Sequence, residues 1–432
     1  MRLSLLIAAV AVAMAGGVFS AAGAGDELAQ ATECRPRGGL PNLIARLKTG
    51  GEVMVAYLGG SITAQQGWRP KTLKWFGEQF PGARVSEINA AIGGTGSDLG
   101  VFRLQHDVLR HKPNLLFVEF AVNDAGASPE QIYRCMEGIV RKTWKADPAT
   151  DICFVYTLAG NMLETLKQDR FPRSATAMEK VADHYGIPSI HLGLEVARME
   201  REGKLVFSGA EPKTDAEKAN LGDKILFSPD SVHPYDAGHQ VYFEAVVRSW
   251  EAIRRAGEPA PHKLVVPMVA DNWERAEMVP FGKAKLSAGW EKLESDAGMV
   301  KSFGNRVPGL WKANAPGESI SFRFRGTTAR IYDLLGPDCG QVTVMVDNGA
   351  LAVKPRFDSF CTYHRLATLS VAEGLPDGLH TVKITVHPEQ PDKTRILSQR
   401  GEKMDDPKRF DGTAWYAGAI LLIGELVEET DQ

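Results

Sequence analysis

The sequence lacks the patterns that mark structural zinc sites, thioredoxin-like redox centres and nucleic-acid-binding surfaces. Its five cysteines never occur in a C-x-x-C spacing. It has no run of basic residues, and a formal net charge of −3 gives no electrostatic reason to expect nucleic acid or an anionic membrane as a partner. Hydrophobic residues make up 44% of the chain and charged residues 24%, which is typical of a globular protein.

Long hydrophobic runs are also absent, except at the start of the chain. Met1-Arg2 forms a short positive region, residues 3–19 are almost wholly apolar, and Ala22-Gly23-Ala24 matches the small-residue pattern of a cleavage site. The sequence therefore predicts a signal peptide over residues 1–24 and a protein that is secreted or periplasmic. An uncleaved membrane anchor is the alternative, because the apolar run approaches the ~20 residues that span a membrane.

Five is an odd number of cysteines for an exported protein, so at least one thiol is expected to be free. Cys339 and Cys361 flank strand-like segments, and they are candidates for a disulfide. Cys135 lies in a predicted helix and Cys153 in a predicted strand, where a free cysteine acts as a small hydrophobic residue.

With 432 residues, the chain exceeds the size of a single hydrophobic core, so two domains are expected. Predicted strands alternate with predicted helices across residues 35–256, which indicates a parallel sheet covered by helices on both faces. The predicted strands are 53–58, 84–89, 115–120, 152–158 and 187–192, and the predicted helices are 71–80, 97–111, 129–146, 174–185 and 234–256. Residues 204–229 interrupt this order, either as a lid or as a solvated excursion, and the second interpretation is preferred.

A different periodicity begins after residues 257–265, a segment rich in Pro and Gly that is predicted to be a linker. Residues 319–325 alternate polar and apolar side chains, and the strand 342–346 leads into an Asn-Gly turn. Short strands with Gly and Pro turns predict an all-β sandwich of jelly-roll type over residues 266–432. This domain is a candidate carbohydrate-binding module or a structural partner of the first.

Four short stretches carry the residues needed for acyl transfer. Ser61 follows the first strand and is the candidate nucleophile, while His233 is the candidate base and Asp230 its orienting carboxylate. The N–H groups of Ser61 and Gly94 and the side-chain amide of Asn123 are the candidate oxyanion hole. Because the carboxyl ends of parallel strands share one edge of a sheet, Ser61, Gly94 and Asn123 are expected to meet there.

Each of these residues also has an ordinary structural explanation. His233 before Pro234 is on its own more typical of a packing or capping residue, and Asn123-Asp124 is typical of a turn. Residues 93–96 resemble a phosphate-binding loop but lack the G-x-G-x-x-G pattern and the lysine of a P-loop. Asp230 and His233 have no further metal ligands in a recognisable set, so neither a metal nor another cofactor is predicted.

Together, and in this chain order, the four stretches resemble the SGNH or GDSL-type hydrolases over roughly residues 50–255. The blocks are Gly59-Gly60-Ser61-Ile62-Thr63, Asn89 with Gly94 five positions later, Asn123-Asp124, and Asp230-Ser231-Val232-His233-Pro234. The resemblance implies a three-layer, flavodoxin-like α/β fold and a serine esterase mechanism without metal. Gly60 stands where that family usually has Asp. The α/β-hydrolases share the order Ser, Asp, His, but the chain lacks their G-x-S-x-G motif.

The substrate is expected to be an acylated carbohydrate. The family acts on lipids, thioesters and acetylated sugars, and an exported member with a β domain resembles the esterases that remove O-acetyl groups from polysaccharides. A non-catalytic carbohydrate-binding protein with a relic hydrolase domain, and a sugar O-acyltransferase using the same triad, are the alternatives.

Four tryptophans are further candidates for contact with a sugar. Trp68, close after Ser61, is a candidate wall of the acyl site, although a core position at the start of a helix explains it slightly better. Trp290, Trp311 and Trp415 would suit a stacking platform in the second domain, although burial in its core is the more common role.

Overall fold

The computed structural model of the chain describes residues 27–428. The predicted signal peptide, residues 1–24, lies outside this range. Among the described residues, no helix has both the length and the apolar character needed to cross a membrane.

The N-terminal domain is built on a six-stranded sheet in the order β1-β6-β5-β4-β2-β3. All neighbouring strands are parallel except β1, which pairs antiparallel with β6. Without β1 the order is that of flavodoxin-like folds, so the predicted parallel α/β architecture is confirmed. The strands are β1 Cys34–Arg35, β2 Gly51–Gly59, β3 Ala83–Asn89, β4 Leu115–Glu119, β5 Asp151–Tyr156 and β6 Ser189–His191.

Helices connect these strands, and α5 begins where the sequence predicts. The Ser128 hydroxyl accepts the Gln131 N–H at 3.2 Å, and Pro129 occupies the first helical position. Helix α5 packs against α4 and α7, and α10 packs against α3 and α8. The helices are α1 Pro41–Thr49, α2 Ser61–Ala64, α3 Trp68–Gln79, α4 Ser97–Asp107, α5 Pro129–Ala146, α6 Leu163–Lys167, α7 Arg173–Tyr185, α8 Gly193–Arg201, α9 Asp215–Leu221 and α10 Asp236–Arg254.

The segment that interrupts the alternation is a small parallel pair of strands, β7 Leu205–Ser208 and β8 Ile225–Ser228, joined through α9. Thr214 and Glu217 form a capping box at the start of α9, and none of the residues in this helix is buried. The segment is therefore a solvated excursion, as preferred, and β8 leads directly to Asp230.

The C-terminal domain is all-β in its sheet, as predicted, and up to residue 428 its strands form one antiparallel sheet of ten. Its elements are β9 Ala276–Pro280, β10 Lys285–Leu286, β11 Glu291–Lys292, α11 Gly298–Phe303, β12 Trp311–Ala313, β13 Ser319–Leu335, β14 Gln341–Val346, β15 Ala352–Pro355, β16 Arg365–Ala372, β17 Gly378–Val386, α12 Lys393–Ser398 and β18 Trp415–Val427. The predicted turn joins β14 to β15, and Asp347 and Asn348 both have positive φ, 50° and 58°.

Strands β13 and β18 are long enough to join two parts of this sheet. They pair with each other along most of their length, while β13 pairs with β17 up to Gly326 and with β16 after Thr328. Gly326 faces Gly424, and a Cβ on either glycine would lie 2.1 Å from a carbonyl oxygen of the other strand. Two glycines are therefore needed where the strands cross this closely.

One hydrophobic cluster spans the boundary between the two domains. A single cluster of buried side chains contains α4 and α5 residues together with Trp273, Val307, Tyr332 and Leu421 of the second domain. Residues 255–272 contain no helix or strand, and His262 from the predicted linker stacks on Trp144 with ring centroids 4.5 Å apart.

The tryptophans and cysteines of the C-terminal domain belong mainly to its interior. Trp290 and Trp415 are buried in the domain core and Trp311 packs against it, as the core interpretation predicts. Cys339 and Cys361 are both buried free thiols, so the disulfide considered from the sequence is not formed.

Candidate active site

Ser61 lies at the point where the sheet order reverses, directly after β2. It is the first residue of the four-residue helix α2 and is half-buried. Strand β2 has β3 on one side and β4 on the other, so the loops after all three strands meet at this edge. Such switch points are where open α/β sheets bind their ligands.

Gly60 allows Asn123 to lie against the serine loop. A Cβ at position 60 would be 2.0 Å from Asn123 Oδ1 and 3.2 Å from its Nδ2. Any larger residue at position 60 would therefore displace the Asn123 amide. Gly60, which stands where the family usually has Asp, therefore leaves the space that the Asn123 amide occupies.

The glycine loop after β3 runs beside Ser61. The Ile92 N–H donates to the Gly59 carbonyl at 2.9 Å, which ties this loop to the end of β2. A Cβ on Gly93 would lie 3.4 Å from Ser61 Cβ, and Gly94 has a φ of +74°, a conformation that favours glycine. Ser61, Gly94 and Asn123 are therefore brought to one edge of the sheet, as the sequence predicts.

His233 reaches Ser61 from a turn between β8 and α10. Its Nε2 lies 2.8 Å from Ser61 Oγ, and its Nδ1 lies 2.7 Å from Asp230 Oδ2. The other carboxylate oxygen of Asp230 accepts the N–H groups of Val232 and His233 at 3.0 and 2.8 Å. Ser231, with a φ of +67°, bends the backbone so that one carboxylate can accept all three groups.

The electrostatics of this turn keep Asp230 ionised. Partial burial raises its pKa, but hydrogen bonds from the His233 side chain and from the backbone of His233 and Val232 outweigh this and hold the pKa well below its usual value. The Asp230 side chain is 50% exposed and that of His233 is 36% exposed, so the site is open to solvent.

Two buried carboxylates support the site and were not singled out by the sequence. Glu119, the last residue of β4, accepts the hydroxyls of Thr63 and Thr157 at 2.9 and 2.7 Å and the Gly60 N–H. Burial raises its pKa. The sequence did contain a signal for Glu119, because it is an acidic residue at the end of an otherwise apolar strand. A buried carboxylate needs hydrogen-bond donors around it.

Asp124 is the second of these carboxylates. Its Oδ1 accepts the Ser97 N–H at 3.0 Å, and its Oδ2 has no hydrogen-bond partner within residues 27–428. Burial raises its pKa to about 7, and the nearby charges of Asp98 and Glu119 act in the same direction. Asp124 thereby joins the Asn123 segment to the start of α4.

Trp68 does not line the acyl site, and the core position that the sequence slightly favoured is the one observed. Its side chain is 0% exposed and packs edge-on against Tyr57 and Phe117, with ring centroids 5.5 and 5.8 Å away. Trp68 is the first residue of α3 and belongs to the core. His239 packs beside it, buried and accepting the Trp68 N–H at 3.3 Å, as expected for a packed helix residue.

Comparisons with known proteins agree with this architecture. Residues 57–241 match the model of the GDSL-like lipase/acylhydrolase family. A crystal structure of a two-domain esterase (CEX) active on acetylated mannans is 20% identical, with a TM-score of 0.69, and the match covers 91% of this chain and 97% of that one. The same esterase co-crystallised with mannopentaose is 19% identical, with a TM-score of 0.68 and coverages of 92% and 97%.

At these identities the two structures show a shared two-domain fold. No curated protein matches the chain in sequence. The α/β domain, through residues 57–241, is therefore similar to the GDSL-like lipase/acylhydrolase family.

Proposed function

We propose that the protein is an exported serine esterase that removes short acyl groups, chiefly O-acetyl, from polysaccharides or oligosaccharides. The observation that carries the proposal is the continuous hydrogen-bonded chain from Ser61 Oγ through His233 to Asp230. The carbohydrate substrate is supported by the shared fold with the two-domain esterase active on acetylated mannans. Export is supported by the apolar segment at the start of the sequence.

In the first half of the reaction, Ser61 Oγ attacks the ester carbonyl while its proton passes to His233 Nε2. Asp230 holds the proton on His233 Nδ1, which leaves Nε2 free to act as the base. The N–H groups of Ser61 and Gly94 and the Asn123 side-chain amide donate to the negative oxygen of the tetrahedral intermediate. His233 then returns the proton to the departing sugar oxygen, leaving an acyl-enzyme on Ser61.

In the second half, a water molecule takes the place of the sugar. His233 removes a proton from this water, the hydroxyl attacks the acyl carbon, and the proton returns to Ser61 Oγ as acetate leaves. The exposure of His233 and Asp230 gives water direct access to this step.

The proposal is tested by measuring acetate release from a panel of acetylated polysaccharides, together with hydrolysis of p-nitrophenyl acetate. Ser61→Ala is expected to lower kcat by about 10⁴-fold or more, as removal of a triad nucleophile does elsewhere. Ser86→Ala, a change to an exposed serine on β3, is the matched control and should retain full activity. Full activity in Ser61→Ala would rule out this nucleophile, and acetyl transfer to added sugar in preference to water would identify an acyltransferase.

A further inference from the structure

We propose that the β domain holds the oxyanion-hole loop in place and that Arg330 is the positioning residue through which it does so. The inference rests on the proposed function, because it takes residues 93–96 to be part of the oxyanion hole. It gives the second domain a role in catalysis that needs no contact with the sugar.

Arg330 is firmly held within the β domain. It lies on β13, paired with Ser370 of β16 and Leu421 of β18. Its guanidinium makes two contacts with the Glu373 carboxylate, at 2.7 and 3.3 Å, and lies over the Trp273 ring, 5.1 Å from its centroid. Only 13% of its side chain is exposed. An arginine already held by a carboxylate and an aromatic ring loses little further side-chain entropy when it binds another group.

From this position Arg330 reaches across to α4. Its Nη1 lies 3.1 Å from Asp98 Oδ2, and Asp98 is the second residue of α4, directly after the glycine loop. A Cβ on Gly96 would lie 3.1 Å from Asp98 Oδ1 and 2.3 Å from Asp124 Oδ1. The last residue of the glycine loop is therefore enclosed between two carboxylates.

The two donor segments meet at this point. Asp124 accepts the Ser97 N–H and directly follows Asn123, while Gly94 lies two residues before Gly96. Arg330 offsets the charge of Asp98, which otherwise faces the buried Asp124. Without Arg330, Asp98 would lose its partner from the β domain, and the start of α4 would be free to shift together with the loop.

The test compares Arg330→Met with Arg141→Met in hydrolysis of p-nitrophenyl acetate. Methionine keeps the apolar packing on Trp273 and removes the ion pair. Because a small displacement of an oxyanion donor costs part of its effect, Arg330→Met should lower kcat about tenfold with KM within about twofold. Arg141, also largely buried, joins the domains through Glu274 and the Val265 carbonyl, at 2.5 and 2.9 Å, and not through the glycine loop. Arg141→Met should lower the thermal midpoint and leave kcat within about twofold.

A double-variant cycle identifies the partner. If Arg330 acts through Asp98, Arg330→Met combined with Asp98→Asn should be no slower than the slower single variant. Arg330→Lys keeps the charge but cannot hold Glu373 and Asp98 together, so its kcat should fall about threefold. If Arg330→Met does not fold, this variant replaces it in the test.

Three results would overturn the inference: unchanged kcat in Arg330→Met, an equal loss in Arg141→Met, or fully multiplicative losses in the double variant. Ser61→Ala, measured in the same assay, separates the two proposals. Loss of activity there with full activity in Arg330→Met refutes only the role of Arg330, whereas retained activity in Ser61→Ala refutes the proposed function itself.

Discussion

The two sides of the candidate site are held in place by different means. On the nucleophile side, Glu119 and Asp124 are buried and receive hydrogen bonds from the loops after β2, β3 and β5. On the base side, Asp230 and His233 stand on an exposed turn after the solvated excursion, and their bonds are almost all to residues within the same turn.

This difference matches what each side has to do. Oxyanion donors must be fixed to a fraction of an ångström before charge develops, and packing in the core provides this. An imidazole must exchange protons with substrate and water, so orientation by one carboxylate in a tight turn is enough. Substitutions on the base side should therefore change activity alone, while those on the nucleophile side should change activity and stability.

The largest effect is expected from Asp230→Asn. Asparagine keeps an oxygen for the Val232 and His233 N–H groups but favours the His233 tautomer that cannot accept the serine proton, so kcat should fall about 10³–10⁴-fold. Because the carboxylate is half exposed, the thermal midpoint should move by about 2 °C or less. Steady-state kinetics and calorimetry on the same preparation would check both, and a large loss of stability would contradict the comparison.

Asn123→Ala is expected to have the next largest effect on activity. Loss of one oxyanion donor should lower kcat about 10²–10³-fold with little change in KM. Asn123→Asp is the matched control, since it keeps the shape but lacks the N–H donors and should lose at least as much. A change within twofold in Asn123→Ala would remove this residue from the oxyanion hole.

The smallest effect on activity, but a clear one on stability, is expected from Asp124→Asn. In the folded protein the pKa of Asp124 is about 7, above the roughly 3.9 of an unfolded Asp, so its contribution to stability is complete below about pH 4 and is lost as the pH rises to about 7. Asparagine can still accept the Ser97 N–H but does not ionise.

The free energy of unfolding should therefore fall more steeply with pH in the wild type than in Asp124→Asn, by on the order of 3 kcal/mol between pH 4 and pH 8. Urea titrations at several pH values would measure the difference, and parallel curves would show that Asp124 is not held protonated. The pKa of Asp230 is lowered, so its effect on stability depends on pH in the opposite direction. Its contribution to the free energy of unfolding is present at neutral pH and is lost as the pH falls.

Local signals predicted many of the elements correctly. The Ser128 cap and Pro129 predicted the start of α5, and the Asn-Gly pair after β14 predicted a hairpin, because capping and turn geometry depend on a few adjacent residues. For Trp68 the sequence left contact with substrate open as an alternative to the core, because closeness to Ser61 in sequence says nothing about the direction of the side chain. It points into the core between Tyr57 and Phe117, which come from strands β2 and β4.

The sequence by itself determined the order of parallel strands and helices, and hence which loops share the carboxyl edge of the sheet. Strand polarity and right-handed crossovers bring Ser61, Gly94 and Asn123 to that edge whatever the details of packing. Only the tertiary structure decided the partners of Glu119, Asp124 and Arg330. Those contacts join segments far apart in the chain, and neither periodicity nor motif spacing specifies which distant side chains meet when the chain folds.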